Sequence, residues 1–296
     1  MSGPITVLMA VYNDSGSLPA AVESILGQTR RDFRFLIMDD CSTDRTPELL
    51  RSYAQRDPRV EVVRLERNIG QTAALNLGLR QARTPWIARM DADDYSAPDR
   101  LEKQMQALEE TPDVGCLGTA VWEFREDPGQ REGIVRRPLE HEEIRRAALL
   151  GAGMIHGTIL VRREELLACG GYDERYRYAS DREMFIRLFR KVRGRNLPEP
   201  LMGLRRHPGQ DSYSLKAADE YVEIFERSLA GNSFAGPERA ILRQSLAYSY
   251  LFRARCRPAP GSWRARAADV GRAFQASPAR CLRGLAGQLI QGAKGR

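Results

Sequence analysis

Apolar and polar positions follow two alternating rhythms along the first hundred residues. Short apolar runs recur at Ile5 to Val11, Phe33 to Met38, Val60 to Leu65 and Trp86 to Met90. Such runs, bounded by polar clusters, predict buried strands. Between them the apolar residues fall three and four apart, which predicts helices. Ser17 caps the first, which continues through Ile25 and Leu26. Ser42-Thr43-Asp44 opens a second, carrying Leu49, Leu50 and Tyr53. A third runs from about Gln71 to Ala82 on Ala74, Leu75, Leu77 and Leu79. Strands separated by helices of this length predict an α/β fold with a parallel, doubly wound sheet.

The rhythm loosens after residue 95. Ser96 to Glu110 reads as helix, Val114 to Phe124 as an extended run, and His141 to Leu150 as helix. Thr158 to Val161 reads as a short strand. Asp181 to Arg190 is an amphipathic helix with Met184, Phe185, Leu188 and Phe189 on its apolar side. Leu201 to Leu204 is strand-like and leads into His207-Pro208-Gly209. Beyond Ser214 the pattern is helical throughout. Trp263, Ala267, Val270 and Phe274 keep a helical period, as do Leu282, Leu285 and Leu289. Pro258, Pro260 and Pro278 divide this tail.

Charge changes the picture of the tail. From Arg227 to Arg296 there are 13 basic and 2 acidic residues; the remainder carries 33 basic and 37 acidic. A basic helical tail suits an anionic lipid surface or a nucleic acid, or is simply a solvated face. No nucleic-acid-binding motif accompanies it. No apolar stretch approaches the roughly 20 residues of a membrane span, and no leader-like segment precedes the first strand. Cys41, Cys116, Cys169, Cys256 and Cys281 are odd in number, with no Cys-x-x-Cys spacing. Disulfide and zinc frameworks are therefore not expected, and a cytoplasmic setting is.

In a doubly wound sheet, ligands bind beyond the carboxyl ends of the strands. Tyr12-Asn13, Asp39-Asp40, Arg67-Asn68 and Asp91-Ala92-Asp93-Asp94 all fall at such ends. Carboxylates one residue apart at a strand end are hard oxygen ligands for Mg²⁺ or Mn²⁺. A cation held there would share its shell with phosphate oxygens and act as a Lewis acid on a departing diphosphate. An acidic loop ahead of a helix is the plainer reading of Asp-x-Asp alone. For Asp94, capping the next helix stands beside a part in the site.

The order of the blocks decides between them. The first strand with Tyr12-Asn13, then Asp39-Asp40-Cys41-Ser42-Thr43-Asp44, then Asn68-Ile69-Gly70 and Ala74 to Leu79 resembles the family-2 glycosyltransferases of GT-A fold. Cys41 stands where that family usually has Gly. Arg89-Met90-Asp91-Ala92-Asp93-Asp94 falls at its metal motif. Pro98-Asp99-Arg100-Leu101-Glu102-Lys103-Gln104 resembles the subset that builds bacterial exopolysaccharide and capsule. The resemblance spans about residues 4 to 212. It implies a Rossmann-like, mostly parallel central sheet flanked by helices, with a C-terminal helical extension. Residues 1–95 would be the nucleotide-sugar-binding half, 96–212 the acceptor-binding and catalytic half, and 213–296 a basic helical region.

The resemblance also implies roles. Asp39 would accept a hydrogen bond from the base, with Val11 and Tyr12 along it, and Asn68 and Arg205 would join the nucleotide-sugar contacts. Asp93 would ligate Mn²⁺ or Mg²⁺, helped by Asp91 and His207. Asp181, in Ala179-Ser180-Asp181, would be the general base that deprotonates the acceptor hydroxyl, giving inversion. Ser180 replaces the usual Glu there. His156 and Ser180 are candidate acceptor contacts; a buried structural role for His156 stands equally. The expected reaction moves a sugar, on family habit from UDP, to a glycan or lipid-linked glycan. Three rivals are a polyprenyl-phosphate sugar synthase, a non-catalytic nucleotide-sugar-binding module and a nucleotidyltransferase. The last lacks its basic Gly-rich loop after the first strand. A cytoplasmic enzyme touching the inner face of the plasma membrane through its basic tail fits these expectations.

Overall fold

The computed structural model describes residues 4–207, 214–234, 236–258 and 262–281. The sequence expectations at Pro208 to Ser212, Pro260, Leu282, Leu285 and Leu289 lie outside the described residues. Two compact units form. One comprises residues 1–148 and 152–208, the other 149–151 and 209–296.

The first unit begins with four parallel strands, β1 (Ile5–Val11), β2 (Phe33–Asp39), β3 (Val60–Arg64) and β4 (Trp86–Arg89). Helices α1 (Leu18–Leu26), α2 (Thr46–Arg56) and α3 (Gln71–Gln81) connect them. Strand β1 shows why the apolar runs are continuous. Ile5, Val7, Met9 and Val11 enter one core cluster, whereas Leu8 and Ala10 enter another. Side chains alternate across a strand, so a sheet covered on both faces needs apolar residues at every position. Helix α3 lies close on this sheet. A Cβ at Gly78 would stand 2.4 Å from Leu8 Cδ1 and 3.1 Å from Met38 Cγ.

After β4 come β5 (Tyr95–Ser96), α4 (Arg100–Glu110), β6 (Cys116–Phe124), β7 (Gly133–Val135) and α5 (His141–Ala148). A 3₁₀ turn at His156–Thr158, β8 (Leu160–Arg162), α6 (Arg163–Ala168), α7 (Ser180–Leu188) and β9 (Gly194–Arg205) complete the unit. The strand order is β3-β2-β1-β4-β8-β6-β9-β5, with β7 on β6. Beyond β4 the sheet is mixed: β8 is antiparallel to β4 and β6, and β9 runs parallel to β6.

Several local expectations are corrected. The Ser17 hydroxyl makes no cap bond; instead Asp14 Oδ1 accepts the Ser17 N–H at 3.3 Å. The helix expected from Ser96 starts at Arg100, because Tyr95 and Ser96 pair with Gly203 and Met202. Gln28 Nε2 holds that turn through Ser96 Oγ and the Ala97 carbonyl. Strand β9 is longer than Leu201 to Leu204. Its Pro198 and Pro200 cannot donate to a ladder, and the pairing with β6 shifts register around Ala120. The short strand expected from Thr158 starts only at Leu160.

The second unit contains α8 (Leu215–Ala230), α9 (Gly236–Cys256) and α10 (Trp263–Ala276). Ser214 caps α8, its hydroxyl accepting the Ala217 N–H at 3.1 Å. Part of the basic charge is neutralised internally. Asp269 is 1% exposed and accepts from Arg253 Nη2 at 2.6 Å and Arg257 Nε at 2.7 Å. Burial opposes ionisation of Asp269, but these arginine bonds outweigh it and hold the carboxyl below the usual range. Asp269→Asn should therefore destabilise this unit by about 3 kcal/mol, since it leaves two guanidiniums facing a neutral group. The wild-type contribution is complete above the unfolded carboxyl pKa of roughly 4 and is lost as pH falls through the lowered folded value. Urea unfolding at pH 7 and pH 3 checks both statements. Equal midpoints for wild type and variant at pH 7 would contradict them.

Candidate active site

The carboxyl ends of β1 and β2 are laced together by side-chain bonds to backbone N–H groups. Asn13 adopts a positive φ of 50°. Its Oδ1 accepts the Thr43 N–H at 2.7 Å and the Asp44 N–H at 3.3 Å, while its own N–H donates to Ser42 Oγ at 3.0 Å. Asp44 accepts from Ser15 and Thr46 backbone N–H groups. Slight burial works against its ionisation, but these bonds hold its carboxyl down at about 2. Cys41 has φ 63°, a left-handed conformation that explains why glycine is favoured at this turn.

Asp39 sits beneath this loop, 1% exposed. Its Oδ1 accepts the Ser42 N–H at 2.9 Å. Its Oδ2 is buried without a hydrogen bond, and Arg64 Nε stands 3.6 Å away. Tyr12 is 47% exposed beside it, whereas Val11 is 3% exposed and belongs to the core. Val11 thus reaches the site only through its backbone, its carbonyl accepting the Asp40 N–H. Asn68 is exposed. The loop after β3 is shaped by Asp40, whose carboxylate accepts Ile69 and Gly70 N–H at 2.7 and 2.8 Å.

The acidic run follows β4. A Cβ at Gly157 would stand 3.2 Å from both Asp91 Oδ2 and Asp94 Oδ2, so three elements meet with no room for a side chain. Burial works against the charged form of Asp91, yet the Arg89 guanidinium, bonded at 2.6 Å, brings its carboxyl below the usual range. Burial and the charge of Asp91 push Asp93 up to about 6. Asp94, 3% exposed, is pushed well above the usual carboxylate range by burial, then by the charges of Asp93 and Asp91. Asp94 caps no helix. Its Oδ1 accepts the Arg205 N–H at 3.0 Å, tying the end of β9 to this loop.

Two buried arginines carry the opposing charge. Arg89 is 1% and Arg100 0% exposed. Arg100 donates to the Gly157 carbonyl at 3.0 Å and the Arg89 carbonyl at 3.2 Å. Burial brings its guanidinium down to about 10, against the pull of Asp94. Arg100→Met should destabilise the protein by about 3–5 kcal/mol, because two buried carbonyls lose their donor and Asp94 loses a buried positive charge nearby. Thermal unfolding measures this; a melting point within a degree or two of wild type would refute it.

The donor set suits a hard divalent cation. His207 Nε2 lies 3.5 Å from Asp93 Oδ2, both groups being partly exposed. Asp93 is a carboxyl whose ionised form needs a nearby positive charge. Among the described residues no three His, Cys, Asp or Glu groups form a closed cage. A partial shell of this kind fits an ion that keeps positions for phosphate oxygens. Arg205, the expected nucleotide-sugar contact, is tied into the loops around the acidic run. Its Nε donates to the Asp93 carbonyl at 2.9 Å and its Nη1 to the Arg125 carbonyl at 2.7 Å, while the guanidinium covers the Phe124 ring. It braces the acidic loop.

Asp181 lies in the first turn of α7, and its charge acts on both His156 and Tyr172. His156 Nε2 and the Tyr172 hydroxyl are 2.8 Å apart. Burial and Arg89 bring the imidazole down to about 4, so it is neutral near pH 7. The Tyr172 turn is pinned by Asn76, which bonds both its N–H and its carbonyl. Ser180 is 8% exposed and its hydroxyl meets Thr72 Oγ1 at 3.1 Å. That contact ties α7 to α3.

Asp40, Arg89, Arg100 and Tyr172 were not singled out from the sequence. Arg89 and Arg100 sit inside quoted motifs, and an arginine amid apolar strand residues was the available signal. The family model for glycosyl transferase family 2 matches residues 6–171. The putative glycosyltransferase EpsE of Bacillus subtilis is 34% identical over 209 residues, covering 69% of this chain and 74% of its own. The amylovoran biosynthesis glycosyltransferase AmsE of Erwinia amylovora is 30% identical over 222 residues, covering 74% and 81%. Among solved structures, the mannosyltransferase PcManGT of Pyrobaculum calidifontis, in complex with GDP-Man and Mn²⁺, superposes with TM-score 0.66 at 21% identity, covering 99% and 80%. TarS of S. aureus with UDP-GlcNAc gives 0.71 at 19% identity, covering 94% and 82%. The chain belongs to glycosyl transferase family 2 and has the GT-A fold; it is a glycosyltransferase.

Proposed function

We propose that this glycosyltransferase is inverting and metal-dependent, and moves a sugar from a UDP-sugar to a hydroxyl of a glycan or lipid-linked glycan in cell-surface polysaccharide synthesis. The pairing of Asp93 with His207 beside the acidic run carries this reading. The unsatisfied Asp39 Oδ2 would accept the base N–H, with the exposed Tyr12 ring along the base. Asp93 and His207, helped by Asp91, would hold Mn²⁺ or Mg²⁺, which supplies Lewis-acid charge to a departing diphosphate. Asp181 would take the proton from the acceptor hydroxyl as it attacks the anomeric carbon. The relatives named for amylovoran and O-antigen synthesis support the choice of a polysaccharide acceptor. A phosphate acceptor, as in a polyprenyl-phosphate sugar synthase, would not need that base.

A panel of UDP-, GDP- and dTDP-sugars with Mn²⁺ or Mg²⁺, read by thermal shift and donor hydrolysis, tests the donor. A UDP-sugar with Mn²⁺ should raise the melting point most. Equal stabilisation in EDTA would sink the metal requirement, and preference for another nucleotide would sink the uridine assignment.

We place the enzyme in the cytoplasm, with the basic second unit against anionic lipid. No described helix is long and apolar enough to cross a membrane. Trp263 is 68% and Tyr248 50% exposed, with Arg264 and Arg280 over their rings. Such aromatic and basic pairs suit a headgroup layer. Binding to phosphatidylserine vesicles should weaken with salt and disappear on truncation after Gly236; equal binding by the truncated chain would rule it out.

A further inference from the structure

Helix α7, whose first turn carries Asp181, begins without a side-chain cap. Ala179 stands at its N-cap position and has no oxygen to offer the first N–H groups. A tie to that turn comes instead from 108 positions earlier in the chain. The Thr72 hydroxyl on α3 donates to the Tyr176 carbonyl at 2.8 Å and meets Ser180 Oγ at 3.1 Å. Thr72 is 4% exposed, so both bonds form away from bulk water. Asn76 stands four residues on, on the same helix face. Its Oδ1 accepts the Tyr172 N–H at 2.9 Å, and its Nδ2 donates to the Tyr172 carbonyl at 2.8 Å and to Glu174 Oε1 at 2.9 Å. Gly171 makes room for this amide: its φ is 63°, and a Cβ there would stand 2.7 Å from Asn76 Oδ1.

The start of α3 is held against the other side of the site. The Asp40 carboxylate accepts the N–H groups of Ile69 and Gly70, just ahead of the helix, and Gln71 Nε2 lies 3.3 Å from Asp91 Oδ1. Residues 69–71 thus register α3 against the loops after β2 and β4. Thr72 and Asn76 register it against the loop that leads into α7. From Gln71 to Asn76 the helix rises only about 8 Å, so one short rigid segment carries both sets of ties.

We propose that Thr72 is a positioning residue for Asp181: it fixes the start of α7, and with it the base, relative to the acidic run. This rests on reading Asp181 as the base that deprotonates the nucleophile. Thr72 touches no reacting atom. It acts through the Tyr176 carbonyl and through Ser180, the residue next to the base. A reacting group displaced by about 1 Å can lose about a hundredfold in rate, and loss of this one hydroxyl releases two ties at once.

Water serves as the nucleophile in the test: its oxygen attacks the anomeric carbon, Asp181 takes its proton, and the nucleoside diphosphate departs. Nucleotide release is followed with Mn²⁺ from whichever UDP-, GDP- or dTDP-sugar stabilises the wild type most. Thr72→Val keeps the shape of the side chain and removes the hydroxyl. It should lower kcat by about ten- to a hundredfold with the donor KM unchanged. Thr72→Ser, which restores the hydroxyl, should stay within about threefold of wild type. In an Asp181→Asn background, Thr72→Val should change the rate by less than about threefold, because a residue acting through the base has nothing left to position. Thr72→Ala takes the place of the valine variant if the latter does not fold. With Asp181→Asn itself impaired, four outcomes would overturn the proposal: wild-type kcat in Thr72→Val, a full additional loss in the Asp181→Asn background, a parallel rise in donor KM, or a serine variant no better than valine. The last three would make Thr72 a merely structural residue. Wild-type turnover by Asp181→Asn would sink the base reading itself, and the positioning role with it.

Discussion

Asp181→Asn is expected to lower sugar transfer by about three orders of magnitude while leaving nucleotide-sugar binding intact, the range attributed to a positioned general base. The substitution keeps the size of the side chain and its place in the first turn of α7. It removes only the ability to accept a proton. The neighbouring His156 is bonded to Tyr172 and is brought down to about 4, chiefly by burial. It is a poor substitute base. Transfer rates with UDP-sugar and acceptor, beside donor affinity by calorimetry, provide the check. Near-normal transfer would remove Asp181 from the mechanism, and loss of donor binding would show that the change had damaged the donor half.

Asp93→Ala should abolish transfer as well, but by a different route. Here metal-assisted nucleotide binding should fall by about a hundredfold, whereas binding measured in EDTA should hardly change. The contrast follows from position. Asp93 faces His207 at the mouth of the acidic run, and Asp39, proposed to contact the base, stands apart from it at the end of β2. The fold should survive this substitution, because Asp93 is partly exposed and the Asp93 group that braces Arg205 is its backbone carbonyl. A variant that keeps full Mn²⁺-dependent affinity for UDP would move the metal to other residues. Asp91 and Asp94 would be poor choices for the same experiment. Each is bound into the fold, through Arg89 and through the Arg205 N–H respectively, so loss of function there would mix chemistry with stability.

The contrast between Asp93 and Asp94 also shows where reading the chain stops. Both were visible as acidic residues at a strand end. Their different parts depend on Arg205, 111 positions further along, whose N–H reaches only Asp94. Val11 and Tyr12 divide in the same way. Val11 closes β1 inside the core, whereas Tyr12 lies just past the strand's end and is about half exposed. The Ser180 hydroxyl meets Thr72 of α3, a contact no local pattern announced. The adjacent Arg205 and Arg206 also part ways: one bonds backbone carbonyls and the other Glu123.

Local periodicity was enough for the strand-helix alternation up to residue 95, because each strand and helix of that half announces its burial within a few residues. The same alternation fixed which loops share an edge, and so brought Asp39 and the acidic run of β4 together on paper. The mixed half of the sheet was beyond this reach: β5 pairs with β9, and β9 with β6, across separations near or above eighty residues. Prolines inside β9 hid its true length. The acidic run had its meaning from motif order alone, but its charge balance did not. Only packing brings Arg89, Arg100 and Gly157 around those carboxylates, and only burial makes their charges strong enough to set which aspartate stays ionised.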